Sequence, residues 1–254
     1  MRAAARYRSS RTRPPSKSGD SLGRVLLFFD IDATLITTNR AGVAAMTDAG
    51  RDLHGTAFSS DGLEFAGRLD PLIVRDMLNR NGVAPTAPAV AAFRDAYRRR
   101  LELRLQDRSR CRALPGVLDL LGALRRRRAI TLGLLTGNYA DTGSMKLRAC
   151  GIEPEWFAVR VWGDDSPHEP PSRDHLPGIG LSRYADLRGA RLDPGRATVI
   201  GDTPHDVACA RAHGCRSLGV ATGSFLADAL RDAGADHVVR DLSDTESMLR
   251  WLLA

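Results

Sequence analysis

The sequence contains few cysteines and no run of apolar residues long enough to cross a lipid bilayer. The four cysteines, Cys111, Cys150, Cys209 and Cys215, are spread widely over the 254 residues and form no C-x-x-C pair. This usage argues against a disulfide framework or a zinc site and favours reduced thiols in a cytoplasmic protein. The apolar runs are far shorter than the roughly 18 residues that a membrane-spanning helix needs. No membrane association is therefore expected.

The net positive charge is also small once the first 20 residues are set aside. The formal net charge is +7, but residues 1–20 hold six basic residues and one acidic residue, which leaves +2 for the rest. A nearly neutral body offers no basic face to a nucleic acid. Residues 1–22 are rich in Arg, Ser and Pro, and this composition predicts a disordered basic tail. An Arg- and Ser-rich transit peptide is an alternative for this segment, although a clear apolar face is missing.

Short apolar runs alternate with helical patterns along most of the remaining chain. With 43% hydrophobic residues, a chain of this length can bury a sizeable core. The alternation predicts an α/β fold in which a Rossmann-like parallel sheet is covered by helices on both faces. The predicted strands are Val25–Phe29, Ile130–Leu135, Phe157–Trp162, Thr198–Ile200, Ser217–Val220 and His237–Val239. The predicted helices between and after them are Val117–Arg127, Gly143–Ala149, Leu176–Leu187, His205–Ala212 and Asp244–Leu253.

One segment interrupts this alternation, because residues 39–112 show helical patterning and almost no strand signal. Helices are expected at Ala41–Asp48, Pro71–Asn79 and Ala87–Gln106. The segment is too long for a single crossover between neighbouring strands. We therefore predict an inserted α-helical cap subdomain at residues 40–112, and a core formed by residues 23–39 and 113–254.

Polar residues stand where three of the predicted strands end. In VLLFFDIDATL, residues 25–35, Asp30 and Asp32 follow the first strand, and in VIGDTPHD, residues 199–206, Asp202 and Asp206 follow the fourth. The second strand ends in LLTGN, which contributes Thr136, Gly137 and Asn138. Ligands of parallel sheets bind beyond the carboxyl ends of the strands, so these residues are expected to meet at one edge.

The chemistry of this set favours a phosphate together with a hard metal ion. Clustered carboxylates repel one another unless a cation neutralises them, and Mg²⁺ prefers oxygen ligands. The helix N-terminus after Thr136 could accept phosphate oxygens. One carboxylate could attack phosphorus to form an aspartyl phosphate, and a second could act as general acid and base.

The order DIDATL, LLTGN, a basic residue and GDTPHD resembles the haloacid dehalogenase-like (HAD) hydrolases. Within that superfamily it is similar to the helical-capped phosphatase branch that includes phosphoglycolate phosphatases, over about residues 24–254. The resemblance implies that Asp30 is the nucleophile and a Mg²⁺ ligand. It implies that Asp32 is the general acid and base and gives its backbone carbonyl to the metal.

The resemblance extends to the other two motifs. Thr136 would hold the phosphoryl group, with Gly137 and Asn138 beside it in the substrate site. Asp202 would bind Mg²⁺, and Asp206 would bind the metal or support its ligands.

Two positions depart from the family pattern. Many members have Gly after the second Asp where this chain has Ala33, a small change that should be tolerated. No lysine occurs between Gly151 and Gly201, where the family usually has a lysine that binds phosphate. Arg173 is the candidate to replace it, since a guanidinium can bridge phosphate and carboxylate. Lys146, on the helix after Thr136, is the alternative.

The segment GLEFAGRLDPLI, residues 62–73, is similar to the substrate-specificity loop of helical-capped members. It places Arg68 and Asp70 in a turn before a helix that begins at Pro71. The resemblance implies that Arg68 contacts the leaving group of the substrate. The alternative is that Asp70 caps the helix and Arg68 is solvated.

These motifs predict a cytoplasmic, Mg²⁺-dependent phosphatase that acts on a small phosphorylated metabolite. A β-phosphoglucomutase-like phosphotransferase is an alternative, because it shares every core motif. A 2-haloacid dehalogenase would need neither a metal nor Asp32. A non-catalytic metabolite-binding protein is supported by the missing lysine alone, and the sequence predicts no oligomeric state.

Overall fold

A computed structural model describes residues 24–254, so the predicted basic tail at residues 1–22 lies outside the described residues. The strands are β1 (Val25–Phe29), β2 (Ile36–Thr37), β3 (Arg112–Ala113), β4 (Ile130–Leu135), β5 (Val159–Val161), β6 (Ala197–Gly201), β7 (Arg216–Val220) and β8 (His237–Val239). Six of them form one sheet in the order β5-β4-β1-β6-β7-β8. All of its neighbouring strands are parallel.

Strand β1 lies in the middle of this sheet and is buried on both faces. Its side chains alternate between the faces, as in any strand. Leu27 and Phe29 pack into one apolar cluster, and Leu26 and Phe28 pack into the cluster on the opposite face. This double burial is why the run VLLFF is continuously apolar, and it confirms the predicted α/β fold with a parallel sheet.

The helices of residues 24–254 are α1 (Ala41–His54), α2 (Asp70–Arg80), α3 (Ala87–Arg104), α4 (Val117–Arg125), α5 (Ala140–Ala149), α6 (Leu176–Arg188), α7 (Pro204–Ala212), α8 (Ala227–Asp232) and α9 (Thr245–Leu252). Local signals fix several of their starts. Thr86 caps α3 by accepting a 3.3 Å hydrogen bond from Ala89 N. Proline stands in the first turn of α2, α3, α6 and α7. Within the described part of the chain, no helix combines the length and apolar character needed to cross a membrane.

Helices α1, α2 and α3, here called the cap helices, share an apolar cluster of their own that includes Met46, Ile73, Phe93 and Tyr97. The chain enters and leaves them through β2 and β3. These strands pair antiparallel, with Ile36 opposite Ala113 and Thr37 opposite Arg112. The division of the chain at residues 40–112 remains a prediction, but this ribbon stands at both ends of that range.

Several elements differ from their predicted bounds. Helix α1 continues past Asp48 to His54, and α5 begins at Ala140, before the predicted Gly143. Strand β5 is shorter than the predicted Phe157–Trp162, since it runs only from Val159 to Val161. The ribbon of β2 and β3 and the short helix α8 were not predicted. Two-residue strands and a six-residue helix are too short to show a hydrophobic period.

Candidate active site

A cleft of about 640 Å³ opens between the carboxyl ends of β1, β4 and β6 and the cap helices. Most of the residues predicted for the site line it, namely Asp30, Asp32, Arg68, Thr136, Gly137, Asn138, Lys146, Arg173 and Asp202. Asp206 is buried and lies behind Arg173 without lining the cleft. The fold therefore brings the three motifs to one edge of the sheet, as parallel strands require.

Three buried carboxylates, those of Asp30, Asp202 and Asp206, converge at this edge. One oxygen of each lies within 4.8 Å of the others. Burial and the neighbouring carboxylates raise the pKa of Asp30 to about 6, although Arg173 opposes the shift. The same two causes raise the pKa of Asp202 to about 8. An all-oxygen donor set in which negative charge is under-compensated fits a hard divalent cation such as Mg²⁺.

The Asp202 side chain is held tightly where β6 ends. The Thr34 hydroxyl donates to Asp202 Oδ1 at 3.3 Å. On its other side, a Cβ atom added at Gly223 would lie 1.7 Å from Asp202 Oδ2. Glycine is thus required at position 223 for the loop after β7 to approach this carboxylate.

Arg173 stands between two of the three carboxylates. Its Nη2 atom lies 3.2 Å from Asp30 Oδ1 and also donates to Asp206 Oδ1, and Nη1 donates to Gly67 O at 3.2 Å. Burial lowers the pKa of the guanidinium, but Asp206 and Asp30 outweigh it and raise this pKa above its ordinary value. Arg173 therefore remains charged although it is only 7% exposed.

Asp206 connects this arginine to the start of α7. Its Oδ2 atom accepts hydrogen bonds from Thr203 N at 3.1 Å and from Thr203 Oγ1 at 2.7 Å, which closes a capping box. Its Oδ1 atom accepts from Arg173. Both oxygens of Asp206 are thus already engaged by the protein.

Asp32 faces the cleft, with 44% of its side chain exposed, and has different partners. Lys146 Nζ donates to Asp32 Oδ2 at 2.7 Å and to Asn138 Oδ1 at 2.6 Å. Asn138 Nδ2 donates to Asp32 Oδ2 and to Thr136 Oγ1, both at 2.9 Å. The two candidates for the missing lysine therefore stand at different carboxylates, with Arg173 at Asp30 and Lys146 at Asp32.

The chain makes a tight turn after Asp32. Ala33 adopts the left-handed conformation with φ 58°, and its N–H donates to Ile36 O at 2.8 Å. This conformation costs a residue other than glycine about 1 kcal/mol, which gives a physical reason for the glycine that many HAD members have here. The Thr222 hydroxyl donates to Ala33 O at 2.5 Å and helps to hold the turn.

Gly137 and the start of α5 contact the cap where α2 begins. A Cβ atom at Gly137 would lie 2.0 Å from Arg68 O, and Asp70 N donates to Gly137 O at 2.7 Å. Tyr139 N, at the start of α5, donates to Asp70 Oδ2 at 3.1 Å. The N–H groups before α5 are the ones expected to donate to phosphate oxygens. Among them, Tyr139 N donates to a cap carboxylate, and the expectation for the other N–H groups stays a prediction.

Arg68 reaches the rim of the cleft, but its guanidinium is engaged within the cap. It pairs with Asp76 Oδ2 at 2.5 Å and donates to Glu64 O at 3.3 Å. Asp70 does not cap its own helix, since no side-chain hydrogen bond closes the start of α2. It is buried beside the cleft, and burial raises its pKa to about 7.

Sequence reasoning did not include Tyr97 in the site. Tyr97 lines the cleft from α3 and belongs to the apolar cluster of the cap helices. In the sequence, Tyr97 stands at helical spacing from Phe93 and Leu101. This spacing indicates a buried apolar position and does not indicate a role for the hydroxyl group.

Comparison with known proteins places this chain among hydrolases. The family model described as "Haloacid dehalogenase-like hydrolase" matches residues 27–220. The pyrophosphatase PpaX of Bacillus pumilus is 27% identical over 227 residues, which cover 86% of this chain and 93% of that protein. The phosphoglycolate phosphatase of Escherichia coli is 29% identical over 130 residues, about half of each chain (51% and 48%).

Solved structures show the same fold. A crystal structure of CbbY from Rhodobacter sphaeroides in complex with phosphate has a TM-score of 0.70 with 21% sequence identity, over 87% of this chain and 96% of that one. The family match spans more than half of the sequence and includes the strands that carry Asp30, Thr136 and Asp202. The chain belongs to the haloacid dehalogenase-like hydrolase family.

Proposed function

We propose that the protein is a Mg²⁺-dependent phosphatase that hydrolyses small phosphate monoesters through a phosphorylated Asp30. The observation that carries this proposal is the cluster at the end of β1. There Asp30 faces the cleft with Arg173 at 3.2 Å, and the Asp202 and Asp206 carboxylates lie within 4.8 Å. The names of relatives that align with this chain, a pyrophosphatase and a phosphoglycolate phosphatase, support chemistry at phosphorus.

The carboxylates of Asp30 and Asp202 would hold the metal ion, together with the backbone carbonyl of Asp32. Because both oxygens of Asp206 already accept hydrogen bonds from Arg173 and Thr203, we assign Asp206 a supporting role. When bound, Mg²⁺ supplies the positive charge that keeps buried carboxylates ionised beside a phosphate group.

In the first step, one oxygen of Asp30 forms a bond to phosphorus and the bond between phosphorus and the ester oxygen breaks. Asp32 gives a proton to the departing oxygen, so an alcohol leaves. In the second step, Asp32 takes a proton from a water molecule whose oxygen attacks phosphorus. Inorganic phosphate leaves and the Asp30 carboxylate is restored.

The remaining residues bind and orient the phosphoryl group. Arg173 lies beside the attacking carboxylate, where a fixed cation stabilises the negative charge of the transferred group. Thr136 stands at the end of the neighbouring strand, and its hydroxyl accepts a hydrogen bond from Asn138. The Thr136 O–H interacts with Asp30, and it could donate to a phosphoryl oxygen when a substrate is bound.

The test is the release of inorganic phosphate from para-nitrophenyl phosphate with Mg²⁺ and with excess chelator. Activity should require the metal, and Asp30→Asn should abolish it, because the amide oxygen is a poor nucleophile. Asp186→Asn, on the exposed surface of α6, is the matched control and should leave turnover unchanged. Acid quenching during turnover should trap phosphate on Asp30. Full turnover in chelator, or in the Asp30→Asn variant, would contradict the proposal.

A further inference from the structure

The cleft continues past Asp32 to polar groups that the proposed chemistry does not use. Lys146 Nζ is one of them. An ammonium has three N–H donors, and here two are taken by Asp32 Oδ2 at 2.7 Å and Asn138 Oδ1 at 2.6 Å. The third finds no acceptor among residues 24–254, and Lys146 lines the cleft.

The Tyr97 hydroxyl is the second polar group that the proposed chemistry does not use. It is fully buried and makes no hydrogen bond of normal geometry with the described residues, although the Thr142 hydroxyl is close enough to interact with it. The nearby Thr142 hydroxyl donates to Tyr139 O at 3.4 Å. A Cβ atom added at Gly42 would lie 3.0 Å from Lys146 Nζ and 3.5 Å from Tyr97 Oη, so both groups approach α1 at the same place. A buried hydroxyl without a partner destabilises the fold, and a ligand that hydrogen-bonds to it removes this cost.

Asp70 is the third. Its Oδ2 atom accepts from Tyr139 N, and its Oδ1 atom accepts no hydrogen bond from residues 24–254. Asp70 lines the same cleft, and its charge acts on both the Tyr97 hydroxyl and the Lys146 ammonium. All three residues line the same cleft, and together they offer two donors and two acceptors.

The charge of this group argues against an anionic ligand. Asp32 already balances Lys146 at 2.7 Å, and Asp70 adds negative charge on the cap side. A carboxylate placed here would lie beside both carboxyl groups, while Lys146, the cation of this group, is already paired with Asp32. An uncharged hydroxyl can donate to Asp70 and accept from Tyr97 or Lys146.

We propose that Asp70, Tyr97 and Lys146 form a hydroxyl subsite, which receives an uncharged hydroxyl on the carbon next to the phosphorylated one. The substrate class is then the phosphate monoester of a polyol. This inference rests on the proposed phosphatase function, in which Asp32 protonates the leaving oxygen. Since Lys146 contacts Asp32 directly, a substrate group on Lys146 stands beside that oxygen.

Three phosphate monoesters with the same two-carbon skeleton test the subsite: 2-hydroxyethyl phosphate, ethyl phosphate and 2-phosphoglycolate. The wild-type protein should show a kcat/KM for 2-hydroxyethyl phosphate at least about tenfold above the other two, because a site built for a hydroxyl discriminates against its absence. Tyr97→Phe should lower kcat/KM for 2-hydroxyethyl phosphate about tenfold, on the scale of one lost hydrogen bond. It should lower the value for ethyl phosphate much less.

Tyr184→Phe is the matched control. Tyr184 also has a buried hydroxyl without a partner among the described residues, but it packs in α6 away from the cleft. This variant should not change the preference among the three esters. Neither variant should lower the melting temperature, since each removes an unpaired buried hydroxyl and little volume.

A preference for 2-phosphoglycolate would overturn the inference, as would an equal loss of activity on ethyl phosphate in Tyr97→Phe. An unchanged preference in that variant would overturn it too. If para-nitrophenyl phosphate is hydrolysed and 2-hydroxyethyl phosphate is not preferred, the hydroxyl subsite fails while the phosphatase proposal stands. If no monoester releases phosphate, the proposed function itself fails.

Discussion

The Arg173 guanidinium lies 3.2 Å from Asp30 Oδ1 and also contacts Asp206. One cation is therefore paired with two buried carboxylates, one directly after β1 and one in the first turn of α7. Lys146, the other candidate for the missing lysine, contacts Asp32 instead. Because the transferred phosphoryl group must lie against Asp30, this geometry supports Arg173 as the cation that binds it.

Arg173→Ala should lower the turnover of para-nitrophenyl phosphate about a hundredfold, the usual scale for the loss of one group that stabilises transition-state charge. Arg173→Lys should keep a measurable part of the activity, since it retains the charge and loses the bidentate geometry. Lys146→Ala should cost much less than Arg173→Ala.

The control for the arginine is Arg183→Ala, whose guanidinium pairs with Asp165 outside the cleft. This variant should hydrolyse para-nitrophenyl phosphate at the wild-type rate. An inactive Lys146 variant beside an active Arg173 variant would reverse the assignment of the two cations.

Stabilisation by Mg²⁺ should increase with pH. Asp30 and Asp202 have pKa values of about 6 and about 8, raised from 3.8. A carboxyl with a raised pKa stabilises the fold at low pH, and this stability is lost as the pH rises through the folded-state value. Metal binding needs the ionised groups. Thermal unfolding should therefore show a larger rise in melting temperature with Mg²⁺ at pH 8.5 than at pH 5, relative to chelator.

Asp202→Asn should remove most of the Mg²⁺-dependent rise at pH 8.5, because it deletes one proposed ligand charge. An equal effect of Mg²⁺ at both pH values would show that the ion binds elsewhere.

Gly223→Ala tests the metal site without removing a carboxylate. The added Cβ atom would lie 1.7 Å from Asp202 Oδ2, so Asp202 or the loop has to move. The Mg²⁺ concentration for half-maximal activity should rise about tenfold, the lower end of the effect of disturbing the groups that position a metal ligand. Gly195→Ala is the control, because its Cβ atom would make an ordinary 3.5 Å contact. A normal Mg²⁺ requirement in Gly223→Ala would contradict the placement of the metal at Asp202.

Asp70→Asn should stabilise the fold at high pH. The pKa of Asp70 is raised to about 7, mainly by burial, so its neutral form is favoured in the fold. The difference in melting temperature between variant and wild type should grow as the pH rises from 4 to 8, since only the wild type then carries a buried charge. The amide oxygen can still accept from Tyr139 N. A variant that is equally destabilised at both pH values would indicate a packing role instead.

The sheet and its functional edge were predictable because their signals are local. The run VLLFF is apolar throughout since β1 is buried on both faces, and the polar residues follow directly where the strands end. Tyr97 and Asp70 were not predictable as partners of Lys146, because their meeting depends on how the cap packs over the core. The roles assigned to Asp30, Asp32 and the other site residues remain predictions.

The ribbon of β2 and β3 also joins the cap helices to the chain that carries Asp32. That chain continues through the Ala33 turn directly into β2, and Asp32 itself forms a bridge with Ile36. Lys146 and Asn138 hold the Asp32 carboxylate from the core side. A substitution that shifts the cap helices can therefore reach Asp32 through the ribbon, and it would alter the proposed proton transfer without touching the substrate.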